Sequence, residues 1–236
     1  MLNRIGSAAQ DLLYPKRCVN CGEFGRLLCV PCGDAMEPAT GPGRCPHCRA
    51  HWEGSGNCPR CFGLQAIEGV LAAVEMSHAA RKIVHALKYQ YVREAATLMA
   101  PPLVAACQGR LFDAHFAVPL HRSRLRERGF NQSELLMRAA GWMEPVGCLL
   151  RTKKTNRQVG MHEGERRANV AGAFVYRGPA LNGLSVAIVD DVVTTGATVQ
   201  ECATVLKEAG AREVWAVAGR CKPPPDRRVR ARGCVR

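Results

Sequence analysis

The pattern of apolar and polar positions is clearest between residues 184 and 218. Leu184–Val189 is almost wholly apolar and rich in β-branched side chains, which is typical of a strand buried on both faces of a parallel sheet. A polar loop, residues 190–198, follows, and residues 199–206 then repeat apolar side chains at helical spacing until Gly210 ends the helix. A second apolar run begins at Val214. The pattern predicts a strand–loop–helix–strand unit with its polar loop at the carboxyl end of the strand, where open α/β sheets bind ligands.

The same criteria predict elements along the rest of the chain. Ser77 is placed to cap a helix, and the Pro101-Pro102 pair is expected to stop another. Lys88 ends its helix, where a solvated side chain is expected in preference to one that reaches a binding site. The predicted strands are Gly69–Met76, Phe116–Leu120, Cys148–Arg151 and Gly172–Tyr176, and the predicted helices are Ser77–Lys88, Arg93–Ala100 and Ser133–Ala140.

The loop after the Leu184–Val189 strand carries the residue types of an anion site. Backbone N–H groups at a helix N-terminus, joined by threonine hydroxyls, suit a phosphate monoester. A carboxylate only accepts hydrogen bonds, so it can take both donors of a vicinal diol such as that of ribose. We therefore predict a ribose 5-phosphate site in which Asp190 and Asp191 face the sugar hydroxyls and five residues hold the phosphate: Thr194, Thr195, Gly196, Ala197 and Thr198. The chain has neither a P-loop nor a dinucleotide-binding glycine pattern.

Eight of the thirteen cysteines form four C-x-x-C pairs within residues 18–61. In a chain expected to be cytosolic, this spacing indicates zinc rather than disulfides. Two pairs complete one closed tetrahedral site, so we predict two structural Zn²⁺ ions that supply folding free energy to a region with little apolar area. Pairing in chain order is favoured over an interleaved pairing, although the spacing leaves both open. The predicted ligands are Cys18, Cys21, Cys29, Cys32, Cys45, Cys48, Cys58 and Cys61.

A net charge of +13 predicts attraction to polyanions. Arginines crowd a predicted basic loop after the Phe116–Leu120 strand: Arg122, Arg124, Arg126 and Arg128. A second polar segment, Leu149–Asn169, lacks periodicity and is long for a loop in a compact domain, which is typical of a lid or binding loop. Its candidate substrate contacts are Arg151, Lys153, Gln158, Arg166 and Arg167.

No apolar run in the sequence reaches the eighteen residues or so that a membrane helix needs. Gln10 and Asp11 also interrupt the apolar residues of the N-terminus, which is instead typical of a short amphipathic helix. We therefore expect a cytoplasmic protein without membrane insertion. The C-terminal tail is rich in proline and arginine, so it is expected to be disordered and able to contact phosphate backbones.

The apolar strand followed by DDVVTTGAT resembles the loop with which type I phosphoribosyltransferases bind 5-phosphoribosyl 1-pyrophosphate (PRPP). Together with the C-x-x-C-rich N-terminus and the segment VPLHRSRLRERGFNQ, it resembles the ComF family over roughly residues 12–221. The resemblance implies an α/β fold, with a type I phosphoribosyltransferase-like parallel sheet flanked by helices and a small N-terminal Cys-rich zinc-ribbon domain. The expected domains are an N-terminal helix (1–17), a double zinc ribbon (18–61), the phosphoribosyltransferase-like domain (62–221) and the basic tail (222–236).

The resemblance also implies ligands and partners. PRPP and Mg²⁺ are the expected ligands, the basic loop takes the position of a pyrophosphate-binding loop, and Leu149–Asn169 takes that of the flexible catalytic loop. Members of the family are implicated in natural transformation, where some handle single-stranded DNA beside a helicase partner. We expect phosphoribosyl transfer to an acceptor that the sequence does not identify, in DNA uptake (competence) or in nucleotide metabolism. Two alternatives stay open: a module that handles single-stranded DNA, and a PRPP-sensing regulator without turnover.

Overall fold

The computed structural model describes residues 15–39, 45, 65–75, 77–143, 148–155 and 163–221. Its centre is a four-stranded parallel sheet in the order β1-β6-β5-β2, with β1 at Gly69–Val74, β2 at Ala114–Ala117, β5 at Ser185–Val193 and β6 at Glu213–Cys221. A separate antiparallel pair joins β3 (Leu149–Arg151) to β4 (Phe174–Tyr176). The predicted pair of short strands on either side of the polar segment is therefore confirmed.

Seven helices cover the sheet or precede it in the described residues: α1 (Val30–Asp34), α2 (His78–Tyr89), α3 (Ala95–Ala106), α4 (Arg122–Arg128), α5 (Gln132–Ala139), α6 (Glu163–Val170) and α7 (Ala197–Glu208). Helices α2, α3 and α5 pack on one face of the sheet, and α7 packs on the other with α6 and the β3–β4 pair. This arrangement confirms the predicted fold class. None of the helices in the described part of the chain is long and apolar enough to cross a membrane.

The two central strands are buried along most of their length. Ile188 of β5 and Leu206 of α7 belong to the core on one face, and Leu87 and Met99 belong to the core on the other. Each of these side chains is essentially excluded from water, and burial of one side chain of this size contributes about 1.5–3 kcal/mol. The carboxyl end of β5, with its two acids, therefore lies between two apolar layers.

The segment after α1 covers the outer edge of β1. The Ala39 N–H donates to the Ala73 carbonyl at 3.3 Å, and the Glu75 N–H donates to the Glu37 carbonyl at 2.9 Å. An exposed strand edge invites pairing with another chain, and this segment satisfies part of that edge within the same chain. The Cys-rich region is thus joined directly to the sheet.

Strand β5 is longer than the sequence predicts. It was expected to end at Val189, but it continues to Val193, because β6 is equally long and still pairs with Val192 through Arg220 and with Val193 through Cys221. Asp190 and Asp191 therefore lie within the last four residues of the strand and not after it.

The basic stretch from Arg122 to Arg128 was expected to be a loop, and this expectation is wrong: it forms the short helix α4. The side chain of His121 accepts a hydrogen bond from the Ser123 N–H at the start of the helix. Gly129 ends it with a φ of 75°, in the left-handed region that favours glycine. These two capping residues stabilise a helix that its arginine content alone did not indicate.

The polar segment Leu149–Asn169 ends in a helix that the sequence did not predict. Its first residues form β3, and its last residues lie in α6, which packs against α7. Residues 156–162 lie outside the described residues, as do residues 1–14 of the predicted N-terminal helix and the tail from 222 onward. The domain limits and the closing motion of this segment stay predictions.

Helix α3 continues through Pro101 and Pro102, which contradicts the predicted stop at this pair. A proline inside a helix removes one backbone hydrogen bond and crowds the preceding turn. Here the apolar side chains on both sides of the pair are buried, with Met99 and Leu103 at 1% and 0% exposure. Packing of this apolar face therefore outweighs the local cost of the prolines.

Replacement of one of these prolines should stabilise the protein. Pro101→Ala restores an N–H donor within α3 and should raise the free energy of unfolding by about 1–2 kcal/mol, since an interior proline costs about 3 kcal/mol and the unfolded chain regains some freedom. Pro179→Ala, in the loop after β4, is the matched control and should not raise the free energy of unfolding. Urea unfolding followed by circular dichroism measures the stability of both variants. A loss of stability in Pro101→Ala would contradict the claim that this proline destabilises α3 locally.

Candidate functional site

A cavity of about 310 Å³ opens at the carboxyl ends of β2 and β5. It is lined by the acid pair that follows the apolar part of β5, by the turn into α7, by a lysine and by three arginines. The predicted site residues that the structure brings together here are Asp190, Asp191, Thr194, Thr195, Gly196, Ala197, Thr198, Arg124, Arg128 and Arg151.

The two carboxyl groups are almost completely buried, with 9% and 2% of Asp190 and Asp191 exposed. The Ser133 hydroxyl donates to Oδ1 of Asp190 at 3.0 Å, and the Gln132 amide nitrogen lies 3.4 Å from Oδ1 of Asp191. The Lys88 ammonium lies 2.6 Å from Oδ2 of Asp191. Helices α2 and α5 thus supply the polar partners that make burial of two adjacent acids tolerable.

This environment shifts the pKa values of the two acids in opposite directions. Burial and the adjacent Asp191 carboxylate together raise the pKa of Asp190 to about 8, and the Lys88 charge offsets only part of this rise. Burial alone would also raise the pKa of Asp191, but the charge and hydrogen bond of Lys88 hold that pKa below its ordinary value. At neutral pH the cluster therefore contains one ionised acid paired with one ammonium and one acid that retains its proton.

The turn from β5 into α7 has the geometry of an anion site. Gly196 takes the left-handed conformation, with a φ of 78°, and begins the helix; its carbonyl accepts the first helical hydrogen bond, from the Gln200 N–H at 2.8 Å. The first N–H groups of a helix lack partners within the helix, and Gly196, the N-cap residue of α7, has no side chain that could cap them. The helix dipole favours negative charge at this end.

Three arginines form a basic wall of the cavity. Arg128 donates to the Gln132 amide oxygen at 2.5 Å, and Arg124 donates to the Thr155 carbonyl at 3.2 Å. Arg151 donates to the Thr155 hydroxyl. Burial and the nearby Arg124 guanidinium lower the pKa of Arg151 from its ordinary value. An anion bound between these two arginines would reduce their mutual repulsion.

Other predicted contacts are not in this cavity. Within the described residues, Arg122 is exposed on α4, Lys153 donates to the Ala171 carbonyl at 3.2 Å and Arg167 is exposed on α6, and none of the three lines the cavity. Gln158 and the side chain of Arg166 lie outside the part of the chain that the structure describes. The predicted substrate contacts of these five residues therefore rest on the sequence alone.

Three residues that contact the acid pair were not among the predicted site residues: Lys88, Gln132 and Ser133. A solvated Lys88 was expected, but its side chain is only 23% exposed and pairs with Asp191. Gln132 and Ser133 are 6% and 0% exposed. One signal could have found them: a run of polar side chains, beginning at Asn131, that opens an apolar helix shortly after a strand.

The first two C-x-x-C pairs form a separate cluster. The sulfur atoms of Cys18, Cys21, Cys29 and Cys32 all lie within 4.8 Å of one another, as the ligands of a closed zinc site require. The Asn20 amide donates to the sulfur of Cys32 at 3.2 Å, an outer-shell contact that orients a ligand. Cys45 is buried, and Cys48, Cys58 and Cys61 lie outside the described residues, so the second zinc site stays a prediction.

Both the Cys-rich region and the rest of the chain are similar to known proteins. Residues 9–62 match the model of the double zinc ribbon domain family. The chain is 31% identical to DNA utilization protein YhgH of Salmonella typhimurium over 205 residues, which cover 80% of this chain and 82% of the relative. It is 34% identical over 126 residues to Competence protein F of Haemophilus influenzae, covering 47% of this chain and 52% of the relative.

A fourth comparison extends the set: Competence protein ComFC of Streptococcus pneumoniae is 33% identical over 97 residues, 41% of this chain and 43% of the relative. Fold and site define an α/β protein with a parallel sheet flanked by helices and with an N-terminal zinc ribbon. With the relative from Salmonella typhimurium aligned over most of both chains, the protein belongs to the ComF family of competence and DNA utilization proteins.

The raised pKa of Asp190 predicts a specific dependence of stability on pH. Between the ordinary value of 3.8 and about 8, the unfolded chain releases the Asp190 proton while the folded chain retains it, so the free energy of unfolding falls as pH rises, by on the order of 1 kcal/mol per pH unit. Asp190→Asn cannot ionise and removes this contribution. Urea unfolding at pH 5.5, 6.5 and 7.5 should therefore show the variant gaining stability relative to the wild type at each step. A constant difference would contradict the assignment.

The thiolate cluster predicts the zinc content of the protein. Cys18→Ser and Cys48→Ser should each lower the zinc content by about one ion per chain, because a closed site with three thiolates binds the metal far less tightly. Elemental analysis of purified protein measures the content, and Cys148→Ser, a half-buried cysteine outside the pairs, is the matched control. Full zinc content in Cys18→Ser would show that this cluster is not a metal site.

Proposed function

We propose that the cavity binds PRPP with Mg²⁺ and transfers its phosphoribosyl group to a nitrogen acceptor. The observation that supports this proposal is that one cavity is lined by a buried acid pair, by the N-terminus of helix α7, whose N-cap residue is a glycine, and by a basic wall. These are the three groups that a sugar bearing a phosphate at one end and a pyrophosphate at the other requires.

Each part of the substrate has a chemical counterpart in the cavity. The 5-phosphate fits the N–H groups and hydroxyls of residues 194–198 at the start of α7. The ribose hydroxyls fit Asp190 and Asp191, which accept hydrogen bonds. The pyrophosphate fits Arg124, Arg128 and Arg151, since planar guanidinium groups pair with phosphate oxygens in two places at once.

The donor set also fits a divalent cation. Asp190 and Asp191 supply carboxylate oxygens, the ligands that Mg²⁺ prefers, together with substrate oxygens. When bound, Mg²⁺ neutralises part of the charge that builds up on pyrophosphate. In the protein without ligand, the proton on Asp190 and the Lys88 ammonium neutralise the acid pair. Binding of the substrate with its cation therefore requires Asp190 to lose its proton and Lys88 to move away from Asp191.

The proposed transfer needs charge stabilisation more than a protein nucleophile. The bond from C1 of the ribose to the pyrophosphate oxygen breaks and its electron pair leaves with pyrophosphate, while the lone pair of the acceptor nitrogen forms the new bond to C1. Positive charge develops on the ring, beside Asp190 and Asp191, and negative charge develops on the leaving group, beside the arginines. Groups fixed in place before the reaction stabilise both changes without reorganisation.

We further propose that the protein acts in the cytoplasm in DNA uptake. The names of its relatives, DNA utilization protein and competence protein, support a role that involves DNA. A second candidate is a module that handles single-stranded DNA beside a helicase. The net charge of +13 and the exposed Arg122 and Arg126 of α4 favour it. The two activities can be separated, because binding to a DNA backbone weakens steeply with salt and does not need the acid pair.

Removal of both carboxylates tests the proposal. The double variant Asp190→Asn, Asp191→Asn should weaken binding of PRPP with Mg²⁺ at least a hundredfold, because both sugar hydroxyls and the cation lose their charged acceptors. Isothermal titration calorimetry gives the affinities, and circular dichroism checks the fold. Glu208→Gln, at the far end of α7, is the matched control and should bind like the wild type. Equal affinity in the double variant would rule out this site for PRPP.

A further inference from the structure

Two tyrosines form an aromatic rim on an otherwise polar and aliphatic cavity. Tyr89 and Tyr91 line the same cavity as the acid pair, and 53% and 59% of these residues is exposed. The proposed function above gives neither ring a role. Exposed aromatic rings at a binding cavity offer a flat apolar surface for a ligand.

The backbone holds this rim in an unusual conformation. Helix α2 ends at Tyr89, and Tyr91 has a φ of 58°, in the left-handed region that side chains other than glycine and asparagine rarely adopt. The turn is held by the Val92 N–H, which donates to the Ala86 carbonyl at 3.2 Å, and by the Arg93 N–H, which donates to the Tyr91 carbonyl at 2.9 Å. Strained residues of this kind persist mainly where their position serves a site.

Each ring is also supported on one side. The Tyr91 ring meets the buried Phe130 edge to face, with centroids 6.3 Å apart and an angle of 78°. The Tyr89 ring lies 5.0 Å from the His85 ring, and the Arg128 guanidinium lies 5.8 Å from its centroid. Supported rings lose little further freedom when a ligand stacks on them, which favours binding.

The rim lies next to the reacting part of the cavity. Lys88, which directly precedes Tyr89, contacts Asp191 at 2.6 Å, so the tyrosines border the place of the ribose hydroxyls. Arg128, assigned to pyrophosphate, lies against Tyr89. An acceptor that stacks on this rim would therefore approach the sugar carbon from which pyrophosphate leaves.

We propose that Tyr89 and Tyr91 form the acceptor subsite and that the acceptor is a planar aromatic nitrogen heterocycle, such as a nucleobase, and not ammonia or an aliphatic amine. This inference rests on the proposed function. A ring nitrogen forms the bond to C1 of the ribose, pyrophosphate leaves with the electron pair of the broken C1–O bond, and the proton of the ring nitrogen passes to water. The heterocycle could be a free base, or a guanine or thymine of single-stranded DNA, because these two bases keep a ring N–H when they are joined to deoxyribose.

The test measures pyrophosphate release from PRPP and Mg²⁺ with adenine, guanine, uracil, a thymidine decamer or ammonium chloride as the acceptor. At least one heterocycle should support release, and the free bases and the decamer identify its source. Tyr91→Leu and Tyr89→Leu should raise KM for that acceptor at least tenfold. Tyr91→Phe and Tyr89→Phe keep the ring and should stay within about twofold of the wild type. The affinity for PRPP with Mg²⁺, measured by calorimetry, should stay within about twofold in all four variants.

Three results would overturn the subsite: release with ammonium chloride alone, Leu variants with an unchanged KM, or a wild type that binds PRPP but accepts none of the heterocycles. A wild type that does not bind PRPP with Mg²⁺ would overturn the proposed function, and the subsite with it. The calorimetric measurement thus separates failure of the acceptor subsite from failure of the sugar-phosphate site.

Discussion

Two adjacent carboxyl groups at the end of a buried strand must be neutralised, and the rest of the site is arranged around that constraint. Asp190 and Asp191 lie where β5 is enclosed between two apolar layers, so two full negative charges there would be too costly. The protein lowers the cost in two ways: Lys88 pairs with one acid, and the other retains its proton. Under the proposed function, a bound cation and a sugar would take the place of this proton and of the Lys88 ammonium.

The elements around the acids each serve this arrangement. Helix α2 brings Lys88 to the pair, α5 brings Gln132 and Ser133, and the turn into α7 places a helix N-terminus beside them. The Cys-rich region is attached to the same frame, because the Asn20 side chain in its first thiolate pair bonds to His78 at the start of α2, at 2.7 Å. One helix therefore connects the zinc ribbon to the acid pair.

Much of the fold and of the cavity could be predicted from short sequence patterns. The apolar run, the acid pair and the Thr-Gly turn are contiguous in the sequence, so both the parallel unit around β5 and α7 and the polar residues of the cavity could be read directly. Lys88 could not, because its role depends on the packing of α2 against a strand a hundred residues later. The prolines of α3 misled for the same reason: a local penalty was visible, and the apolar face that outweighs it was not.

A crystal structure of the protein with PRPP and Mg²⁺ tests the central claim most directly. The account predicts the 5-phosphate against the backbone of residues 195–198, the ribose hydroxyls beside Asp190 and Asp191, and the Lys88 ammonium moved away from Asp191. Phosphate groups bound only on the exposed face of α4, or a cavity left empty at saturating concentrations while Lys88 still pairs with Asp191, would contradict it.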